Sequence, residues 1–116
     1  MPRTNQDLLG CIRECNQCED ICVRCSVHCL QMGGEHAGIE HQGLMQDCAE
    51  ACHLAARVMG RGSERHAHAC GLCAEFCRAC EESCRRLAGG DRMMNECADT
   101  CRRCAESCER MAGAGV

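Results

Sequence analysis

Residues 8–32 read LLGCIRECNQCEDICVRCSVHCLQM, with cysteine at Cys11, Cys15, Cys18, Cys22, Cys25 and Cys29. The steps between them are 4, 3, 4, 3 and 4 residues. An α-helix uses this alternation to keep one stripe of side chains on a single face. The stripe runs on at the same spacing to Leu8 and Met32. Such a stripe normally carries Leu, Ile or Val, and here it carries thiol.

The pattern recurs three times. A second helix is predicted from about Glu35 to Met59, with the stripe His41, Met45, Cys48, Cys52, Ala55 and Met59. A third, capped by Ser63 and reaching about Ala88, carries His66, Cys70, Cys73, Cys77, Cys80, Cys84 and Leu87. A fourth, capped by Asp91, carries Met94, Cys97, Cys101, Cys104, Cys108 and Met111. Thr4 and Asp7 fit a capping box for the first helix. Glycines at Gly33-Gly34, Gly60, Gly62 and Gly89-Gly90 mark the helix ends. No run reads as a strand. Four long helices with short loops predict an all-α fold, an antiparallel four-helix bundle with a cysteine-lined core, as one domain over residues 1–116. Small flanking residues (Ala49, Ala56, Gly71, Ala74, Ala98 and Ala105) allow close helix approach but supply little oily surface.

Composition makes the same demand from another side. Leu, Ile, Val and Phe together number 15 in 116 residues, a share below the roughly 20% at which disorder is suspected. The 46% hydrophobic content rests on alanine and the 17 cysteines. Regular spacing argues that cysteine supplies the core. The net charge of −4 and the lack of a basic run speak against nucleic acid or an anionic membrane as partner. No run is long and apolar enough to span a bilayer, and MPRTNQDLLG lacks the apolar segment of a signal peptide. The cytoplasm is the expected location, and there thiols stay reduced. An odd number of thiols also cannot all pair within one chain.

A core of 17 thiols has more redox liability than packing alone justifies, so the pattern points to soft metal. Pairs at i, i+4 such as Cys11/Cys15 or Cys104/Cys108 suit low-coordinate Cu(I). Charge points the same way. One Cu(I) per thiolate replaces one proton by one positive charge and leaves the core neutral. Four Zn(Cys)₄ sites would bury about −8. The expected load is on the order of 12–20 Cu(I) ions per chain. Ferredoxin-type clusters are disfavoured because no Cys-Pro follows the CxxC pairs. One bundle end is predicted to gather Met32, His36, His41, Met45 and Met94, soft or neutral donors suited to a mouth for the metal. His28 and His53 fall off the stripes and read as surface residues. Val23, Val27 and Leu30 form an outward apolar patch on the first helix, a candidate for self-association.

The CxxxC and CxxC series on all four helices, with the Met/His end, resembles the bacterial copper storage proteins over nearly the whole chain. The resemblance implies Cu(I) stored by interior thiolates, with Met and His near the open end guiding it in. Lack of a leader resembles the family's cytosolic branch, whose members are typically homotetramers. Copper ions are the implied partner, with a copper donor or acceptor protein besides. The second helix departs from the pattern, with only Cys48 and Cys52. Two other readings stay open. One is a metallothionein-like Zn/Cd buffer. The other is a thiol oxidoreductase, which needs an activated thiol at a helix N-terminus.

Overall fold

The computed structural model describes residues 5–114. Its helices are α1 (Asn5–Met32), α2 (Ile39–Gly60), α3 (His66–Ala88) and α4 (Arg92–Ala114), and no strand occurs among the described residues. α1 packs against α2 and α4, and α3 packs against the same two. Neighbours run antiparallel: Cys18 meets Cys48 while Cys29 meets His41, and Cys11 meets Cys108 while Cys22 meets Cys97. The bundle measures 45 × 21 × 19 Å. Its long axis matches the length of a 28-residue helix at about 1.5 Å per residue.

The stripes face inward as the spacing requires. Among the described Leu, Ile, Val and Phe residues, only Ile21 and Val58 are buried. Leu8, Ile12, Phe76 and Leu87 pack half-buried against the core. Ala98, Ala105 and Ala55 are wholly buried, so the helices close up on small side chains. Outside, paired charges link adjacent helices. Arg78 meets Glu109 and Arg85 meets Asp99 between α3 and α4, each at 2.9 Å. Water screens exposed pairs of this kind, so each contributes little to stability.

Two helix starts differ from the sequence reading, and a third lies out of view. The second helix does not begin at Glu35. Gly34–Ala37 forms a 3₁₀ turn, below called the strap, and Gly38 is extended. Gly33 has φ +75° and donates its N–H to the Cys29 carbonyl, ending α1 in a conformation that glycine adopts without strain. The Gly38 N–H then bonds Glu35 O, and a Cβ on Gly38 would sit 3.2 Å from that oxygen. A helix beginning at Glu35 cannot form through this reversal. Ser63 does not cap α3 directly either. Its Oγ accepts the Arg65 N–H and its carbonyl accepts the His66 N–H, making a turn that precedes the helix. Asp91 does cap α4, its Oδ1 accepting the Met94 N–H at 2.9 Å. Thr4, the expected cap of α1, lies outside the described residues.

Candidate metal centre

All 17 cysteines are free and buried, none more than 1% exposed. Their sulfurs form a continuous ladder along the bundle axis. Cys15 lies 3.6 Å from Cys108 and 3.8 Å from Cys104. Cys73 lies 3.6 Å from Cys52, and Cys48 lies 3.6 Å from Cys77. Cys22 reaches Cys97 and Cys101 at 3.9 Å and Cys80 at 4.0 Å. These separations are far beyond a disulfide bond of about 2.05 Å.

The sulfurs fall into groups whose members all lie within 4.8 Å of one another. Cys11, Cys70 and Cys108 make one. Cys15, Cys73, Cys104 and Cys108 make the next, followed by Cys18, Cys52, Cys77 and Cys104. Others are Cys18, Cys22, Cys48 and Cys101, and Cys22, Cys80, Cys97 and Cys101. Consecutive groups share members: Cys108, then Cys104, then Cys18, then the pair Cys22 and Cys101. Each group draws on at least three helices. The sequence showed the same-helix pairs, of which Cys73/Cys77 at 3.8 Å and Cys25/Cys29 at 4.0 Å are in contact. The tighter contacts run between helices, which spacing along one helix does not reveal.

The geometry bears on metal choice. A tetrahedral zinc with bonds of about 2.3 Å also places sulfurs about 3.8 Å apart, so distance alone does not discriminate. Charge does: the overlapping groups make the sulfurs bridge, and one Cu(I) per thiolate leaves such a core neutral, whereas Zn(II) among four thiolates leaves it negative. The thiols do not all shift one way: bonds from neighbouring sulfurs pull Cys11, Cys18, Cys48, Cys73, Cys97 and Cys104 down, while most of the others are pushed up. Burial pushes the Cys29 thiol up from its ordinary range. For Cys70 the bond with Cys108 pulls down, but the bond with Cys11 and burial outweigh it, and the thiol is pushed up to about 12. An ion entering this core therefore displaces protons.

The five predicted mouth residues do not form one layer. His41 is 1% exposed, and Met45 and Met94 are wholly buried. Met32, the last residue of α1, is 44% exposed. His36 sits on the strap, where its Nε2–H donates to Leu87 O at 3.0 Å. His41 makes direct contact with sulfur: Nε2 is 3.4 Å from Cys29 Sγ, and Nδ1 is 2.7 Å from Ser83 Oγ. Burial, reinforced by nearby His36, lowers the His41 pKa and keeps the imidazole neutral, the form that ligates metal.

Several polar residues here escaped the sequence reading. Buried Gln42 donates from Nε2 to Ser26 O and His36 O, both at 3.1 Å, and its Oε1 accepts the Ser26 hydroxyl. It thus ties the strap to α1. His28 is not a free surface residue: it is half-buried, with Nε2 2.8 Å from Asp91 Oδ2. His53 is exposed and pairs with Glu19 across α1 and α2. Nothing in a single sequence marks Ser83 or Gln42, since each looks like any polar residue flanking a stripe. At the far end Met59 and Met111 are buried, and half-buried His66 bonds the Ser63 carbonyl.

Comparison with known proteins gives a consistent outcome. Residues 4–113 match the family described as copper storage protein. A solved protein from Nitrosospira multiformis is 45% identical, with TM-score 0.88 over 95% of this chain and 98% of that one. The Cu(I)-bound copper storage protein of Bacillus subtilis is 32% identical, with TM-score 0.84 over 91% of this chain and 98% of its own. A cytosolic copper storage protein from Streptomyces lividans, solved with five coppers, is 27% identical, with TM-score 0.84 over 93% of each chain.

Proposed function

The chain belongs to the copper storage protein family, and from that membership together with the shared sulfur groups we propose that it stores many Cu(I) ions inside the bundle. The observation that carries this reading is the sharing of Cys18, Cys22, Cys101, Cys104 and Cys108 between successive groups. Bridging thiolates and singly charged ions keep such a core neutral, whereas separate zinc sites would leave it strongly negative. The proposed ligands are the 17 cysteines, with His41, Met45 and Met94 inside the mouth and Met32 and His36 at its rim. Thioether and neutral imidazole are soft, uncharged donors, weaker than thiolate and suited to passing an ion inward.

Redox catalysis is not favoured. A thiol oxidoreductase works with an accessible thiolate at a helix N-terminus, and these thiols are all buried, none more than 1% exposed. The proposed location is the cytoplasm. It is supported by similarity to the cytosolic Streptomyces protein. No helix among the described residues is long and apolar enough to cross a membrane. The proposed assembly is a homo-oligomer, a tetramer by family resemblance, using the face of α1 where Val23, Val27 and Leu30 are about half exposed. A copper donor or acceptor protein would meet the mouth end.

An anaerobic Cu(I) titration against a competing chelator tests storage. The expected saturation is on the order of 12–20 ions per chain. About one proton should be released per ion, read by pH-stat, with free thiols disappearing in step. Saturation near four ions, or equal loading by Zn(II), would overturn it.

A further inference from the structure

Resting on the proposed mouth, we propose that the strap is its lid. Gly34–Ala37 shuts the bundle end in this structure, and its opening admits Cu(I).

The inner residues of the mouth are shut away. His41 is 1% exposed, and Met45 and Met94 are wholly buried. An ion from solvent reaches them only if some part of the end moves. The helices are poor candidates, because the sulfur ladder and the close-set alanines grip them along their length. Cys22 of α1, for example, meets Cys80 of α3 and both Cys97 and Cys101 of α4. The strap is different. None of its four residues is buried, and polar contacts hold it in place.

Those contacts cross the bundle end. The His36 ring donates from Nε2 to Leu87 O near the end of α3, at 3.0 Å. Glu35 pairs with Arg86, also of α3, at 3.2 Å. The strap leads from α1 into α2, and these two contacts carry it over to α3. From beneath, Gln42 Nε2 donates to His36 O at 3.1 Å, while the same amide is tied to Ser26 of α1. Gln42 is buried, so water does little to replace that bond. The backbone supplies a hinge. Gly34 has φ +57°, and a Cβ there would meet nothing within 4 Å. No packing at that point opposes rotation, and the closed form relies on a conformation that other residues adopt at a cost. Few buried contacts and a small hinge residue mark a segment that opens locally while its surroundings stay folded. Opening would break the His36–Leu87 and His36–Gln42 bonds and uncover His41, Met45 and Met94.

Stopped-flow loading of the apo protein under anaerobic conditions tests this. Cu(I) is supplied as a chelate at increasing concentration, and thiolate-to-copper charge-transfer absorbance is followed. A lid makes the loading rate level off at the opening rate once the chelate is in excess. Gln42→Leu fills the same space without the N–H donors and should raise that plateau about two- to tenfold, the weight of one hydrogen bond. Gly34→Ala strains only the closed strap and should raise it about fivefold or more. Val58→Ala, which opens a cavity at the far end of α2, controls for general loosening and should keep the parent's plateau. Final Cu(I) per chain should be the same in all four proteins. A rate that keeps rising with chelate concentration overturns the lid. So does a plateau unmoved in Gly34→Ala or in folded Gln42→Leu. Equal acceleration in Val58→Ala overturns it too, since breathing of the whole bundle would then admit the ion. A low capacity in the parent instead overturns storage, and it is read from the end point rather than from the rate.

Discussion

Asp91 shows how much one side chain carries at the mouth end. Its carboxylate accepts the Met94 N–H, capping α4, and lies 2.8 Å from His28 Nε2 on α1. The backbone hydrogen bond, with His28 second, holds its pKa below the usual 3.8. The unfolded carboxyl takes up its proton before the folded one does. This contribution is therefore complete above about pH 4, and it is lost as pH falls through the folded value. Asp91→Ala should lower stability by about 1 kcal/mol at neutral pH, by chemical denaturation. Asp91→Asn, another good cap, should recover most of that at neutral pH and flatten the acid limb. Equal losses in both variants would assign the effect to His28 instead. The cap was legible in sequence because Asp91 follows Gly89-Gly90 and precedes a periodic run. The His28 partnership was not, because it joins residues 63 positions apart.

At the scale of elements, α2 is the exception. It contributes two thiols where α1 contributes six, and its remaining stripe positions are His41, Met45, Ala55 and Met59. All four are buried, so this wall of the tube is inward-facing like the others but poor in thiol. Ala55 stands one turn beyond Cys52, which itself lies within 3.8 Å of Cys73, Cys77 and Cys104. Ala55→Cys should extend the ladder at that wall and raise Cu(I) capacity by about one ion per chain. The same anaerobic titration measures it, and unchanged capacity with the extra thiol unreacted would show that the position lies outside the cluster. The four stripes and their inward facing could be read directly from the 3 and 4 spacing. The strap could not. Glu35, His36 and Ala37 look like an ordinary helix start, and only the backbone reversal between Gly33 and Gly38 separates them from α2.

The whole molecule is a bundle whose interior lacks the usual oil. Thiols, alanines and four buried methionines take the places of Leu and Phe. A ligand that binds only the folded state stabilises it, and one site at a hundredfold excess over its Kd contributes about 2.7 kcal/mol. That corresponds to roughly 10–20 °C in a domain of this size. Loading with Cu(I) should raise Tm by at least that much, as measured by circular dichroism under anaerobic conditions. Equal melting of apo and loaded protein would mean that packing alone holds the bundle. The need for this support was visible in composition. The order in which the sulfurs meet was not, because it depends on how four stripes slide past one another.

Shared vertices have a consequence for traffic. An ion drawn from the middle of the ladder would strand neighbours that rely on the same sulfurs, so each departure from the middle disturbs two others. An ion at either end has fewer such obligations, the group at Cys11 and Cys70 sharing Cys108 alone. With the proposed mouth as the way in and out, turnover would resemble a magazine rather than a shelf: what went in last would come out first, and the cargo near Cys11 and Cys70 would be the deep reserve.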